Sequence, residues 1–239
     1  MTVKNMIEYT VIYKRVKNIT LRIRPDGTLE VTAPNRTSET AIRDIVEKKQ
    51  SLITTHLKKT EAFYEERQKA GLKNRYCDGG QAAYLGDLYP LSVTQQGKRS
   101  WQWDGKSLTL SGCKTEAHCR QMVEQFYREQ MLNEILPEQN RLVRERMDHL
   151  LLPEPEFTVR KMRGSWGICY SQKKKIVLNL WLAMAPADCI RQVLIHEYVH
   201  FIHNNHSVEF YALLEQLEPQ YRQLKHKLSV MVDIKGGAI

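Results

Sequence analysis

Residues 190–206 constrain this chain more than any other stretch: Ile190-Arg-Gln-Val-Leu-Ile-His196-Glu197-Tyr-Val-His200-Phe-Ile-His203-Asn-Asn-His206. They contain an H-E-x-x-H pattern set among apolar residues at helical spacing. On an α-helix, positions four apart project from one face, so the imidazoles of His196 and His200 can reach a single ion. Ile190, Val193, Leu194, Ile195, Val199, Phe201 and Ile202 surround the pattern, so the helix is expected to be largely buried. A buried helix bearing two His and a Glu carries a desolvation cost unless those groups are bound to something. Zinc fits, since it takes neutral His nitrogen at about 2.0–2.1 Å in a tetrahedral shell. Glu197 then borders the open coordination position, where it can take a proton from metal-bound water.

Three ligands stacked along a straight helix cannot surround an ion, which turns attention from His203 to His206. Asn204-Asn205 suits a turn, because Asn tolerates the left-handed conformation. The resulting H-E-x-x-H-x-x-x-x-x-H resembles the ligand spacing of the metzincin proteases, with His203 where they carry Gly. His206 is therefore the expected third ligand. Glu209, Glu215 and Glu218 are the acidic alternatives.

At 239 residues, with 42% hydrophobic and 26% charged residues, the chain reads as an ordinary globular protein with a sizeable core. The N-terminal residues show no apolar leader segment. The longest apolar stretch, residues 178–187, is too short to span a bilayer and contains Asn179. The expectation is a cytoplasmic protein without a membrane partner. Cys77, Cys113, Cys119, Cys169 and Cys189 form no C-x-x-C pair, which argues against a disulfide framework and a thiolate zinc site. A net charge of +9 raises the local concentration of anionic partners. The charges are scattered, with Lys173-Lys174-Lys175 the only tight run, so nucleic-acid binding is possible but not favoured.

Taken in order, residues 7–33 alternate as strands with Pro25-Asp26-Gly27 as a turn, which predicts an antiparallel hairpin or meander. Ser38 or Thr37 can cap a helix running to about residue 70. Strand-like runs over 82–94 and 101–110 turn at Gly86-Asp87 and Asp104-Gly105. Residues 115–151 are helical in period, with Pro137 expected to kink or break them. Strands follow at 157–162, 166–170 and 176–180, then the motif helix opening at Pro186, and a further helix capped by Ser207. The fold class expected is α+β: N-terminal antiparallel hairpins and helices over 1–150, then zincin-like strands with the H-E-x-x-H helix over 151–239. One continuous domain over both parts is the alternative. In zinc peptidases such an order sets an edge strand beside the metal, here residues 176–180, to which an extended peptide can add.

Lys161-Met-Arg-Gly-Ser-Trp-Gly-Ile-Cys169, Ile176-Val-Leu-Asn-Leu180, Ala185-Pro186 and His196 through Ser207 together resemble the YgjP-like zinc metallopeptidase-type family, related to the SprT-like and Wss-type proteins. The resemblance is strongest over 157–225 and extends to Arg22-Ile-Arg24, Asp26-Gly27 and Tyr84-Leu85-Gly86. It implies zinc at His196, His200 and His206, with Glu197 catalytic. Relatives usually read Arg-Trp-Gly-Ser-Cys, where this chain has Ser165-Trp166-Gly167-Ile168-Cys169. For Trp166 and Cys169 the plain expectation is core packing.

The function expected is metal-assisted hydrolysis of a peptide or protein, with Glu197 as general base for zinc-bound water. A nucleotide phosphoanhydride is the alternative substrate, since Lys and Arg can clamp phosphates. A non-catalytic zinc-stabilised nucleic-acid-binding module is the third reading, but a structural site has no use for Glu197. Tyr170, Tyr211 and Arg163 are candidates to stabilise an oxyanion.

Overall fold

Burial sets the strand order of the N-terminal sheet. In the computed structural model, which describes residues 7–24 and 26–234, the chain divides into two compact units, Met1–Lys69 and Ala70–Ile239. The first holds β1 (Tyr9–Lys14), β2 (Thr20–Ile23) and β3 (Leu29–Pro34) in the order β1-β3-β2. Leu29, Glu30, Val31 and Ala33 are all buried, whereas β2 alternates and β1 is only half covered. A strand covered on both faces belongs at the centre of a sheet. β2 pairs antiparallel with β3, but β1 pairs parallel to it, with Val11 opposite Val31. The expected antiparallel meander therefore holds only for β2 and β3. Pro25 lies outside the described residues.

Ser38 caps α1 (Glu39–Lys48), its hydroxyl accepting the Ala41 amide at 3.3 Å. The single helix expected to residue 70 is interrupted at Lys49 (φ −102°, ψ 10°), where α2 (Gln50–Ala70) begins. Ile42, Val46 and Ile53 close a small core over Leu29, Val31 and Ala33.

The second unit begins with β4 (Gly80–Tyr84), β5 (Asp87–Val93), β6 (Ser100–Trp103) and β7 (Leu108–Ser111), ordered β4-β5-β7-β6. Leu85 (φ 48°) and Gly86 (φ 98°) form the β4–β5 turn, whose two-residue hairpin geometry needs positive φ at both positions. Their amides donate to the Ala183 and Met184 carbonyls at 2.9 Å. A Cβ on Gly86 would stand 2.8 Å from Pro186 Cγ, so this turn rests on the segment leading into the motif helix. α3 (Glu116–Gln130) follows a Thr115 cap. Pro137 does not break the helical run. A π-helical turn (Met131–Ile135) intervenes, and α4 (Leu136–Met147) carries Pro137 in its first turn. The wider turn accommodates a residue with no amide to donate and a ring that would clash in an α-helical interior.

β8 (Glu156–Arg160), β9 (Gly167–Tyr170) and β10 (Lys175–Asn179) form a sheet ordered β8-β10-β9. Residues 176–180 are not the edge expected to receive an extended substrate, because β10 is central. Val177 faces Thr158 on one side and Ile168 on the other, so the strand's main-chain groups are already paired. Ile176, Val177, Leu178 and Asn179 are all buried, as a central strand requires. The edge strands are β8 and β9, of which β9 lines the cleft described below.

α5 (Ala187–Val199), α6 (Val208–Leu217) and α7 (Tyr221–Met231) complete the unit. Val143 and Met147 of α4, Val159 of β8 and Leu194 of α5 share one core, so the division expected at 150/151 falls inside this unit. Among the described residues no helix is long and apolar enough to cross a membrane.

Candidate active site

α5 is buried nearly all round: Cys189, Ile190, Val193, Leu194, Ile195, Tyr198 and Val199 all lie in the core. The Tyr198 hydroxyl donates to Asn140 Oδ1 of α4 at 2.6 Å and fixes the helix about its axis. His196 and His200 therefore project at a set height and angle. The helix ends at His200, earlier than a turn after His203 would require. The Phe201, Ile202 and His203 amides donate to Tyr198 and Val199 carbonyls and tighten the last turn.

This tight turn also orients a ligand nitrogen. His200 Nδ1 lies 3.0 Å from the His203 carbonyl, which can only accept, so Nδ1 carries the proton and Nε2 offers a lone pair. His203 thus contributes through its main chain, while its imidazole stands outside the cluster. The chain then brings His206 back to His196, with their Nε2 atoms 3.1 Å apart. Among the described residues, His196, His200 and His206 form the only His, Cys, Asp and Glu group that could hold a metal ion, with ligand atoms within 4.8 Å of one another. Donors at 2.0–2.1 Å from one tetrahedral ion would stand roughly 3.3–3.4 Å apart, close to the 3.1 Å between His196 and His206. Burial, then the neighbouring imidazoles, pushes His196 down to about 3, and burial also lowers His200. Both rings are therefore neutral at pH 7, as metal ligation requires.

Phe210 forms the floor beneath these rings, with centroids 5.0, 4.7 and 4.7 Å from His196, His200 and His206. Its place is set by the Ser207 cap, which accepts the Phe210 amide at 3.4 Å. Helical spacing after Ser207 gives no sign of this role for Phe210. The acidic alternatives are committed elsewhere. Glu215 pairs with Arg222 at 2.7 Å and Glu218 with Arg146 at 2.8 Å, while Glu209 is exposed.

Glu197 lines the same cleft and packs against β9. It is 4% exposed, and burial pushes its carboxyl up to about 8 while the Cys169 amide pulls down. The contact is so close that a Cβ on Gly167 would lie 2.5 Å from Glu197 Oε1. Gly167 has no positive φ here, so its role is to leave room rather than to bend the chain. The Trp-Gly dipeptide was visible in the sequence, but nothing local linked it to a carboxylate 30 residues on.

β9 and the loop before it form one wall of a cleft of about 500 Å³; α5 and the α6–α7 pair form the rest. Trp166 and Cys169, expected as core, both line it half-buried. Ser165 and Ile168, the two departures from the usual run, line it as well. Of the oxyanion candidates, Tyr211 lines the cleft and Tyr170 and Arg163 do not. Asn179, fully buried, holds the wall in place. Its Nδ2 donates to the Met162 and Ser165 carbonyls at 2.8 and 2.9 Å, and its amide donates to the Trp166 carbonyl at 2.8 Å.

A buried helix that offers two imidazoles, a third from the following turn and a recessed glutamate between them defines the kind of site metallopeptidases carry. Comparison with family models agrees: the model described as YgjP-like, metallopeptidase domain, matches residues 17–230. The chain belongs to this YgjP-like metallopeptidase family. No curated protein matched the chain.

Proposed function

We propose that the protein is a zinc-dependent peptidase in which His196, His200 and His206 hold the metal and Glu197 is the general base. The observation that carries this is the convergence of three ring nitrogens within 4.8 Å beside a buried carboxyl from the same helix. Three imidazoles, one oriented by a main-chain carbonyl, suit zinc and leave a fourth position open. Zinc held there would supply a Lewis acid that polarises a scissile carbonyl and acidifies water to a pKa of about 7.

The chain's own groups supply the rest. Burial keeps the Glu197 carboxyl near neutral pH, the range in which a base can both take a proton from attacking water and return it to a leaving amine. Gly167 lets the β9 backbone approach that carboxyl. β9 pairs with β10 along one side, and among the described residues no strand pairs with its other side, where an extended peptide could add by main-chain hydrogen bonds beyond the Cys169 amide that Glu197 holds. The nucleotide alternative lacks a clamp, because Lys225 is the only Lys or Arg among the residues lining the cleft. Lys173, Lys174, Lys175, Arg160 and Arg163 all lie outside the lining.

The test is a hydrolysis screen of casein-derived peptides and nucleoside triphosphates with added zinc, wild type against Glu197→Gln. Peptide cleavage should fall by about 10² or more in the variant at equal zinc content. Turnover that survives the change, or turnover of nucleotides alone, would reject the proposal.

A further inference from the structure

Lys225 sits on α7 with Tyr221 one turn before it and Leu228 one turn after, and all three line the cleft. Its neighbours are spoken for: Arg222 pairs with Glu215 at 2.7 Å and Lys227 with Asp188 at 2.9 Å. Lys225 has no carboxylate partner among the described residues. It also lines an adjoining groove of about 620 Å³, which shares Tyr211 and Tyr221 with the cleft and continues to Val208 and Ala212. The two tyrosine rings stack with centroids 6.1 Å apart, and Tyr211 stacks on His206 at 6.0 Å. An ammonium thus stands where the reaction centre opens into a second, partly apolar channel.

Of the charged groups that line the groove with Lys225, Glu215 and Arg222 pair with each other and cancel. Glu197 is the only Asp or Glu lining the cleft, and it is buried against β9. Imidazole ligates a metal as a neutral donor, so three such ligands would not cancel the charge of a bound divalent cation. A cleft with this balance focuses anionic substrates. A single lysine is a point charge suited to one carboxylate, whereas a polyphosphate calls for several converging donors or an arginine fork.

We propose that Lys225 is a specificity-determining residue that selects acidic peptides, binding an Asp or Glu side chain of the substrate at the mouth of the Tyr211–Tyr221 channel. This rests on the peptidase reading above for its substrate class, but its test does not depend on turnover.

Capped alanine-based octapeptides carrying one Glu at successive positions, each with a Gln counterpart, are titrated calorimetrically into zinc-loaded and chelator-treated Glu197→Gln protein. At one register the Glu peptide should bind about tenfold tighter than its Gln twin, the scale of a charge-assisted hydrogen bond, and the ratio should shrink with salt. Lys225→Met should bring that ratio towards one, and Lys225→Glu should reverse it in favour of a Lys-bearing peptide, with melting temperature and zinc content showing that both variants are folded. A preference unchanged in Lys225→Met, or absent at every register, overturns the assignment. So does ATP binding that exceeds the best Glu peptide and is lost in Lys225→Met. If the binding preference follows Lys225 while wild type cleaves no peptide, the peptidase reading falls and the Lys225 assignment stands. If wild type cleaves peptides without any acidic preference, the Lys225 assignment falls and the peptidase reading stands.

Discussion

Adding one methyl group at Gly167 should disable the site without emptying it. The Cβ of Gly167→Ala would lie 2.5 Å from Glu197 Oε1 and 2.6 Å from both Cδ and Cγ. Carbon and oxygen in ordinary contact stand about 3.5 Å apart, so carboxyl and strand must separate by roughly 1 Å. Neither can yield easily. Gly167 pairs with Leu178 in the sheet, and Glu197 sits on a helix buried nearly all round. A displacement of that size at a reacting group costs about 10²-fold in rate. The three atoms nearest the new methyl group all belong to Glu197 and none to a candidate ligand, so metal content should match wild type. The assay is kcat/KM on a cleaved peptide, alongside elemental analysis and a thermal melt. Activity within threefold of wild type, in a folded protein with normal metal content, would refute the reasoning that Glu197 works from its place against β9.

Three further outcomes follow from the same geometry. His206→Ala should lose metal affinity by more than the 10–100-fold typical of outer-sphere changes, measured by competition with a chromophoric chelator; unchanged affinity would return the third position to His203 or an acidic residue. Asn179→Ala should destabilise the protein by about 2–4 kcal/mol in urea titration, because the Met162 and Ser165 carbonyls lose the donor that the fully buried Asn179 side chain supplies. Asp188 is pushed up by burial, but the Lys227 ammonium and the Cys189 amide outweigh this and hold its carboxyl below 3.8. Depressed in the fold, it contributes stability above that value which is lost as pH falls through it, so the advantage of wild type over Asp188→Asn should shrink on acidification. A constant gap in urea midpoints down to about pH 2 would count against that ion pair.

What the sequence determines by itself is the short-range part of this molecule. The H-E-x-x-H spacing puts two imidazoles one turn apart, the apolar residues around it bury α5, and Ser38 and Ser207 set helix starts, because each of these depends on partners within four residues. The α+β class and the return of the chain to His206 are legible too, and the β4–β5 turn is read one residue late, at Gly86-Asp87 rather than Leu85-Gly86. Tertiary structure alone decided which strand lies in the middle of each sheet. Residues 7–33 alternate as a meander would, yet β3 is inserted between β1 and β2. Residues 176–180 read as an edge but are flanked by β8 and β9, since strand pairing is a choice among distant partners of similar local pattern. The cleft wall belongs to the same category. Gly167 meets Glu197 across 30 residues, Phe210 reaches beneath three imidazoles from the next helix, and Lys225 faces the opening from the helix after that. Such contacts arise only when a shared core brings separate elements together, and no periodicity within any one of them records it.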